Sequence, residues 1–276
     1  HSTSHDVQAV RAEVALEQDR PEEAIALLTQ EVRDNARTSP EAMIRYLDLL
    51  VERGETPSEE DLLLAEAMRI EFADTAITDE LARAEARGWT ARMEFETALE
   101  VLEGRNDEAA TMERDATFAS IAANATSGAF LEIVFRPLSS DLTDDTENAI
   151  ARRLIDLGFP DQALVTMTGT GAHQAAADRR YLRAEASIAA GDHLAAVDVL
   201  MGMTDDRAQA LRSQAYEGLG DYRVALSALD ADEEASTATL QFRAQAWERL
   251  TLQEDPVLSG FANSFLDPAE PEAETL

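Results

Sequence analysis

Gly220-Asp221-Tyr222-Arg223-Val224-Ala225-Leu226 is the phrase that decides the fold. It places a small residue first, two polar residues after it, a spacer, and then Ala followed by an aliphatic residue. The phrase recurs as Gly191-Asp192-His193-Leu194-Ala195-Ala196-Val197, Gly158-Phe159-Pro160-Asp161-Gln162-Ala163-Leu164 and Asp19-Arg20-Pro21-Glu22-Glu23-Ala24-Ile25. A degraded copy is Gly104-Arg105-Asn106-Asp107-Glu108-Ala109-Ala110. Each copy follows a helical stretch and opens another, so each reads as the turn of a helical hairpin. One such unit cannot bury its apolar face alone. Recurrence therefore points to stacked helix pairs with an extended surface suited to binding.

Composition agrees with a helical interior. Of 276 residues 45% are hydrophobic but only 5% are aromatic, so Ala, Leu, Val and Ile must fill the core. Ala is the strongest helix former, and its small side chain lets helices approach closely. Strict apolar–polar alternation is nearly absent, which predicts almost no sheet.

The chain carries 55 acidic residues against 23 basic ones, a net charge of −32. Every basic residue is Arg; there is no Lys. Nucleic-acid backbones and anionic membrane surfaces would be repelled, because both need basic groups to displace counterions. A basic partner or a solvated acidic coat is the reading that remains. The Ala and Arg bias fits a GC-rich bacterial coding sequence. No run approaches the apolar length of a membrane helix.

Without Cys there are no disulfides, thiolate chemistry or Cys-based zinc sites. Lack of Cys fits a periplasmic or envelope protein as well as a cytosolic one. The chain starts at His1 rather than Met, which reads as processing, excision or a tag remnant, so His1 and His5 are not taken as ligands.

Along the chain, three helices are expected from about Ser4 to Gly54, with Ser39-Pro40-Glu41 as a strong restart: Ser as N-cap and Pro in the first turn. Thr56-Pro57-Ser58 opens the next. Helices are expected over 74–87, from Trp89 to Leu102 as one piece, and over 109–123. These make an N-terminal repeat region, 1–123. Residues 124–145 break the rhythm and form the expected junction, with Ala129 to Phe135 as a short packed helix in preference to an isolated strand. Residues 146–252 form the C-terminal repeats, ending in one helix from Ser236 to Leu252. The acidic, Pro-bearing tail, 253–276, is expected to be largely irregular, with Phe261, Phe265 and Leu266 docking on the last helix as a cap.

The stretch Tyr216 to Leu226 resembles a tetratricopeptide repeat: the end of its first helix, the Gly-Asp-Tyr turn and the Ala-aliphatic start of its second. Ser213, Ala184 and Ala12 match the small residue where the two helices cross. The first-helix Trp and closing Pro of that family are missing here. An Ala-rich helical bundle is the alternative. The resemblance implies an all-α right-handed superhelix of antiparallel hairpins whose first helices line a concave groove. By that register Asn148, Arg152, Tyr181, Glu185, Gln214, Glu217 and Gln245 face a protein or peptide partner.

Chemistry is sparse. Without Lys there is no Schiff base or phosphate-loop lysine. His193 reads as a packing ring in its turn. Thr168-Gly169-Thr170-Gly171 beside His173 reads as an inter-helix loop rather than a phosphate cradle. Asp141 to Asn148 lacks the register of a calcium loop, and Thr143 reads as a helix N-cap. Asp230 to Glu234 reads as a solvated link. Neither a cofactor nor a metal is expected, and the function expected is a non-catalytic scaffold or adaptor. Two alternatives stay open: an accessory helical domain of a larger bacterial envelope protein or enzyme complex, and a groove for a small molecule or glycan.

Overall fold

The computed structural model describes residues 5–34, 39–73, 75–136, 142–167, 176–229 and 236–266. Among them the chain is all-α, with no strand. It divides into two compact units, 1–150 and 151–276.

The first unit holds α1 (His5–Glu17), α2 (Pro21–Asp34), α3 (Pro40–Glu52), α4 (Glu59–Glu71), α5 (Ile77–Ala91), α6 (Phe95–Val101), α7 (Glu108–Asn124) and α8 (Ser127–Val134). Helix α9 (Asp144–Asp156) begins there and runs into the second unit. Local chemistry sets these boundaries. The Ser39 hydroxyl accepts from the Ala42 amide, ahead of Pro40 in the first turn. Ser58 and Asp61 form a reciprocal capping box at α4. Helices pack on near neighbours in sequence: α1 on α2, α2 on α3, α3 on α5, and α5 on α4, α6 and α7. Between them lies a core of Leu28, Met43, Leu47, Leu62, Leu81 and Leu102, all fully buried.

The second unit continues with α10 (Pro160–Thr166), α11 (Ala177–Ala189), α12 (His193–Val199), α13 (Asp206–Gly218), α14 (Tyr222–Ala228), α15 (Ser236–Arg243), α16 (Trp247–Leu250) and α17 (Pro256–Leu266). Here α11 packs on α10, α12 and α13, and the later helices pack in succession from α13 to α17.

One turn recurs in both units. Asp19, Met93, Gly158, Gly191, Gly220 and Gln245 all have positive φ. In each case the next residue's amide donates to the carbonyl five residues back, at 2.8–3.0 Å, as from Asp192 to Ser187 and from Asp221 to Tyr216. This is the Schellman closure, which satisfies carbonyls left over at a helix end. The second helix starts one residue later. Five residues after the turn residue stand Ala24, Ala98, Ala163, Ala196, Ala225 and Leu250, each 0% exposed. Before the turn, Ala12, Ala86, Ala151, Ala184 and Ser213 share one position, and all are buried. Small residues at both places, Leu250 excepted, let paired helices touch.

Several expectations need correction. Trp89 to Leu102 is two helices, because Met93 takes the left-handed turn. Ser236 to Leu252 is likewise split at Gln245. Gly104 is not a hairpin turn of this kind: it closes the passage from α6 to α7, and Ala109 is exposed while Ala110 is buried. Gly104 is equivalent in position to Gly202, which closes α12 to α13 in the same way, both with positive φ. The same spacing separates Asp107 from Asp205, each an N-cap, and Arg114 from Arg212. Arg114 donates to the carbonyls of Leu102 and Arg105, and Arg212 to those of Leu200 and Met203.

Residues 253–266 also depart from an irregular tail, since Pro256 to Leu266 is helical. Pro256 sits in the first turn, where its missing N–H costs nothing. Phe261 and Phe265 pack on Trp247, the latter stacked at 4.5 Å between ring centroids. The Ala129 to Phe135 piece lies mostly in α8. Residues 168–171, His173, Asp141 and 230–234 lie outside the described residues.

Candidate functional site

The residues expected to face a partner begin on α9, α11 and α13. In the second unit the structure brings three of them together. Arg152 of α9 and Glu185 of α11 stand 3.6 Å apart. Glu185 also accepts from Arg207 of α13 at 2.7 Å. The Arg207 guanidinium lies 4.5 Å over the Tyr181 ring and 3.9 Å from Asp178. The Tyr181 hydroxyl donates to Asp205, which raises the phenol pKa and helps hold the Asp205 carboxyl below the usual range. The Glu185 carboxylate, helped by Asp178 and opposed by burial, raises the Arg207 pKa. The result is a guanidinium–carboxylate–guanidinium row across three successive first helices, with an aromatic ring beneath one end.

Position in the repeat explains the row. Arg152, Glu185 and Gln214 each stand six residues before a left-handed turn residue, Gly158, Gly191 and Gly220. Gln214 is exposed on α13, and Glu217 is half-buried one turn later. Asn148 lies one turn before Arg152 on α9, in the residues assigned to the first unit, so the two share a helix face. Gln245 does not belong with them. It is the turn residue itself, at φ 56°, and not part of a first-helix face.

Arg207 and the whole first-unit counterpart were not legible in the sequence. Arg87 stands six residues before Met93, the same place as Arg152 and Glu185. It donates to Asp48 of α3 at 2.6 and 3.0 Å and to Glu113 of α7 at 2.5 Å. Burial pushes the Glu113 carboxyl up, against the opposing pull of Arg87. Burial would depress Arg87, but its two carboxylates outweigh that and raise it. The first unit thus carries carboxylate–guanidinium–carboxylate where the second carries the reverse. The signal that could have found it is the turn register, hidden because Met93 is not a glycine. Arg207 sits in the first turn of α13, earlier than any repeat position considered.

Chemically, both rows exchange hydrogen bonds and do not present bare charge. Each guanidinium already has a carboxylate, and charge-assisted contacts of this kind help fix geometry. Neither row includes His, and there is no Cys or Lys in the chain to serve as nucleophile. Among the described residues no group of three or more His, Asp or Glu side chains is placed to hold a metal ion. No helix among them is long and apolar enough to cross a membrane. His193, at the start of α12, packs its ring against Gly218 of α13. No protein-family model matches this chain, and no curated protein matches it.

Proposed function

We infer that this chain is a tetratricopeptide-like repeat protein that holds a segment of a protein partner along the first helices of its hairpins, as a scaffold without catalysis. In this reading the hairpins coil into a right-handed superhelix with its trough lined by Arg152, Tyr181, Glu185 and Gln214. The observation that carries it is the repeated register. The same offset from a Schellman turn sets a polar side chain on α5, α9, α11 and α13, while the neighbouring small residue is buried. A row of polar groups on a rigid helical frame suits recognition of an extended segment by exchanged hydrogen bonds. The net charge of −32 favours a partner segment with basic character.

The test is positional. A photo-crosslinking residue is placed at Gln214, on the proposed lining, and separately at Leu194, which is exposed on the second helix α12. Irradiation in cells of the source should give one discrete protein adduct from position 214 and none from 194. Equal adducts from both positions, or none from either, would remove the groove from consideration.

A further inference from the structure

A second feature lies away from that row. Arginines are scarce in so acidic a chain, and most of those with described side chains are engaged: they pair with carboxylates, clamp helix-end carbonyls or cover a ring. Arg11, Arg45, Arg223 and Arg249 are the ones without such a partner. Two of these four line one cleft. It has a volume of about 310 Å³ and lies between α14 and the turn that joins α15 to α16. Buried Leu226 and Ala244 supply apolar lining; Ser227 and Gln245 supply polar groups.

We propose that this cleft binds a small organic anion: a carboxylate or phosphate monoester on a short apolar body. Both guanidinium groups are exposed at the cleft and unpaired, so their donors are open to an anion entering from solvent. Planar forks of N–H donors match the paired oxygens of carboxylate and phosphoryl groups. The volume lies at the small end of ligand pockets, which sets the size of the guest. Apolar Leu226 and Ala244 fit a few methylenes and not a bare ion. The left-handed backbone at Gln245 turns the chain sharply beside the cleft, between α15 and Arg249 on α16. The site belongs to second helices and the last turn, so it is independent of the partner-binding reading.

The experiment titrates the full chain with butyrate, n-butyl phosphate and n-butylammonium. Heat and the Nε–H NMR signals of arginine are followed at about 0.15 M salt. Saturable binding of butyrate identifies a carboxylate guest, and saturable binding of n-butyl phosphate a phosphoryl guest; either supports the site. Each of Arg223→Gln and Arg249→Gln should weaken that binding roughly tenfold with unchanged helical circular dichroism. Arg45→Gln, which removes an unpartnered arginine elsewhere, should leave it unchanged. No saturable binding of either anion, equal binding of n-butylammonium, or an equal loss in Arg45→Gln would overturn the proposal.

Discussion

Gly218 and Glu85 show how single side chains set the packing here. A Cβ at Gly218 would sit 2.3 Å from the His193 imidazole, and both residues lie on packed helices, α13 and α12. Gly218→Ala should therefore cost about 1–3 kcal/mol through overpacking. Denaturant unfolding of Gly218→Ala beside Gly218→Ala/His193→Ala checks this, since removing the ring should recover much of the loss. Glu85 is only 1% exposed and accepts from Arg69 at 2.7 Å. Burial pushes its carboxyl up, and Arg69 opposes that. Replacing Arg69 by Leu leaves a buried carboxylate without its partner, which should cost about 3 kcal/mol at neutral pH. The loss should shrink on acidification as Glu85 takes up a proton. A loss that stays constant with pH would show that the pair is not its source. In the sequence, Gly218 lies two residues ahead of the repeat phrase and carries no mark of its own. Its need for glycine comes from a ring on the preceding hairpin, which no local pattern reports.

At the scale of the element, the hairpin turn was readable where its left-handed residue is Gly or Asp, at 19, 158, 191 and 220. Those residues reach positive φ at little cost. It was hidden at Met93 and Gln245, where helix-compatible letters continue through the break. The expected single helices over 89–102 and 236–252 follow from that concealment. Gly104 misled for the opposite reason. A glycine followed by Asp and Ala copies the phrase, yet its backbone closes a different passage, held by Arg114. The candidate row suffered likewise: Arg152, Glu185 and Gln214 could be placed by counting back from visible glycines, whereas Arg87 could not. A stability comparison follows. Met93→Gly relieves a strained backbone and should stabilise the protein by about 0.5–1 kcal/mol, despite the added freedom of the unfolded chain. Gly191→Ala should destabilise it by about 1–2 kcal/mol. Thermal unfolding of the two variants should move in opposite directions; movement the same way would refute the account of these turns.

For the whole molecule, charge governs the response to solvent. With a net charge of −32, like charges repel across the folded surface, and salt screens that repulsion. The melting temperature should climb between about 0.02 and 0.5 M sodium chloride. Acidity should act in the same sense at first. Glu85 and Glu113 are raised by burial, so they bind protons more tightly folded than unfolded. Stability from that preference is fully present below the ordinary glutamate range and is lost as pH rises through their raised values. Lowering pH from about 7 to about 5 should therefore raise the melting temperature. Glu22 and Asp205 are held low, Glu22 by backbone hydrogen bonding and then Arg53, Asp205 by the Tyr181 hydroxyl. Their contribution disappears only as pH falls further, through those lowered values. A melting curve that falls steadily from neutrality would contradict this ordering. Composition made the charge and the helical class visible at once. The buried carboxylates that shape the pH response were not, because the sequence holds too many acids to mark any of them.

Arg114 and Arg212 each grip the end of one helix and the start of the passage to the next, using the same two-carbonyl hold in separate units. That makes the stretches 95–114 and 193–212 interchangeable cassettes. A chimera that carries residues 193–212 in place of 95–114 keeps its own clamp, its own Asp cap and its own inward alanine, and so should remain foldable where an arbitrary helical insert would not.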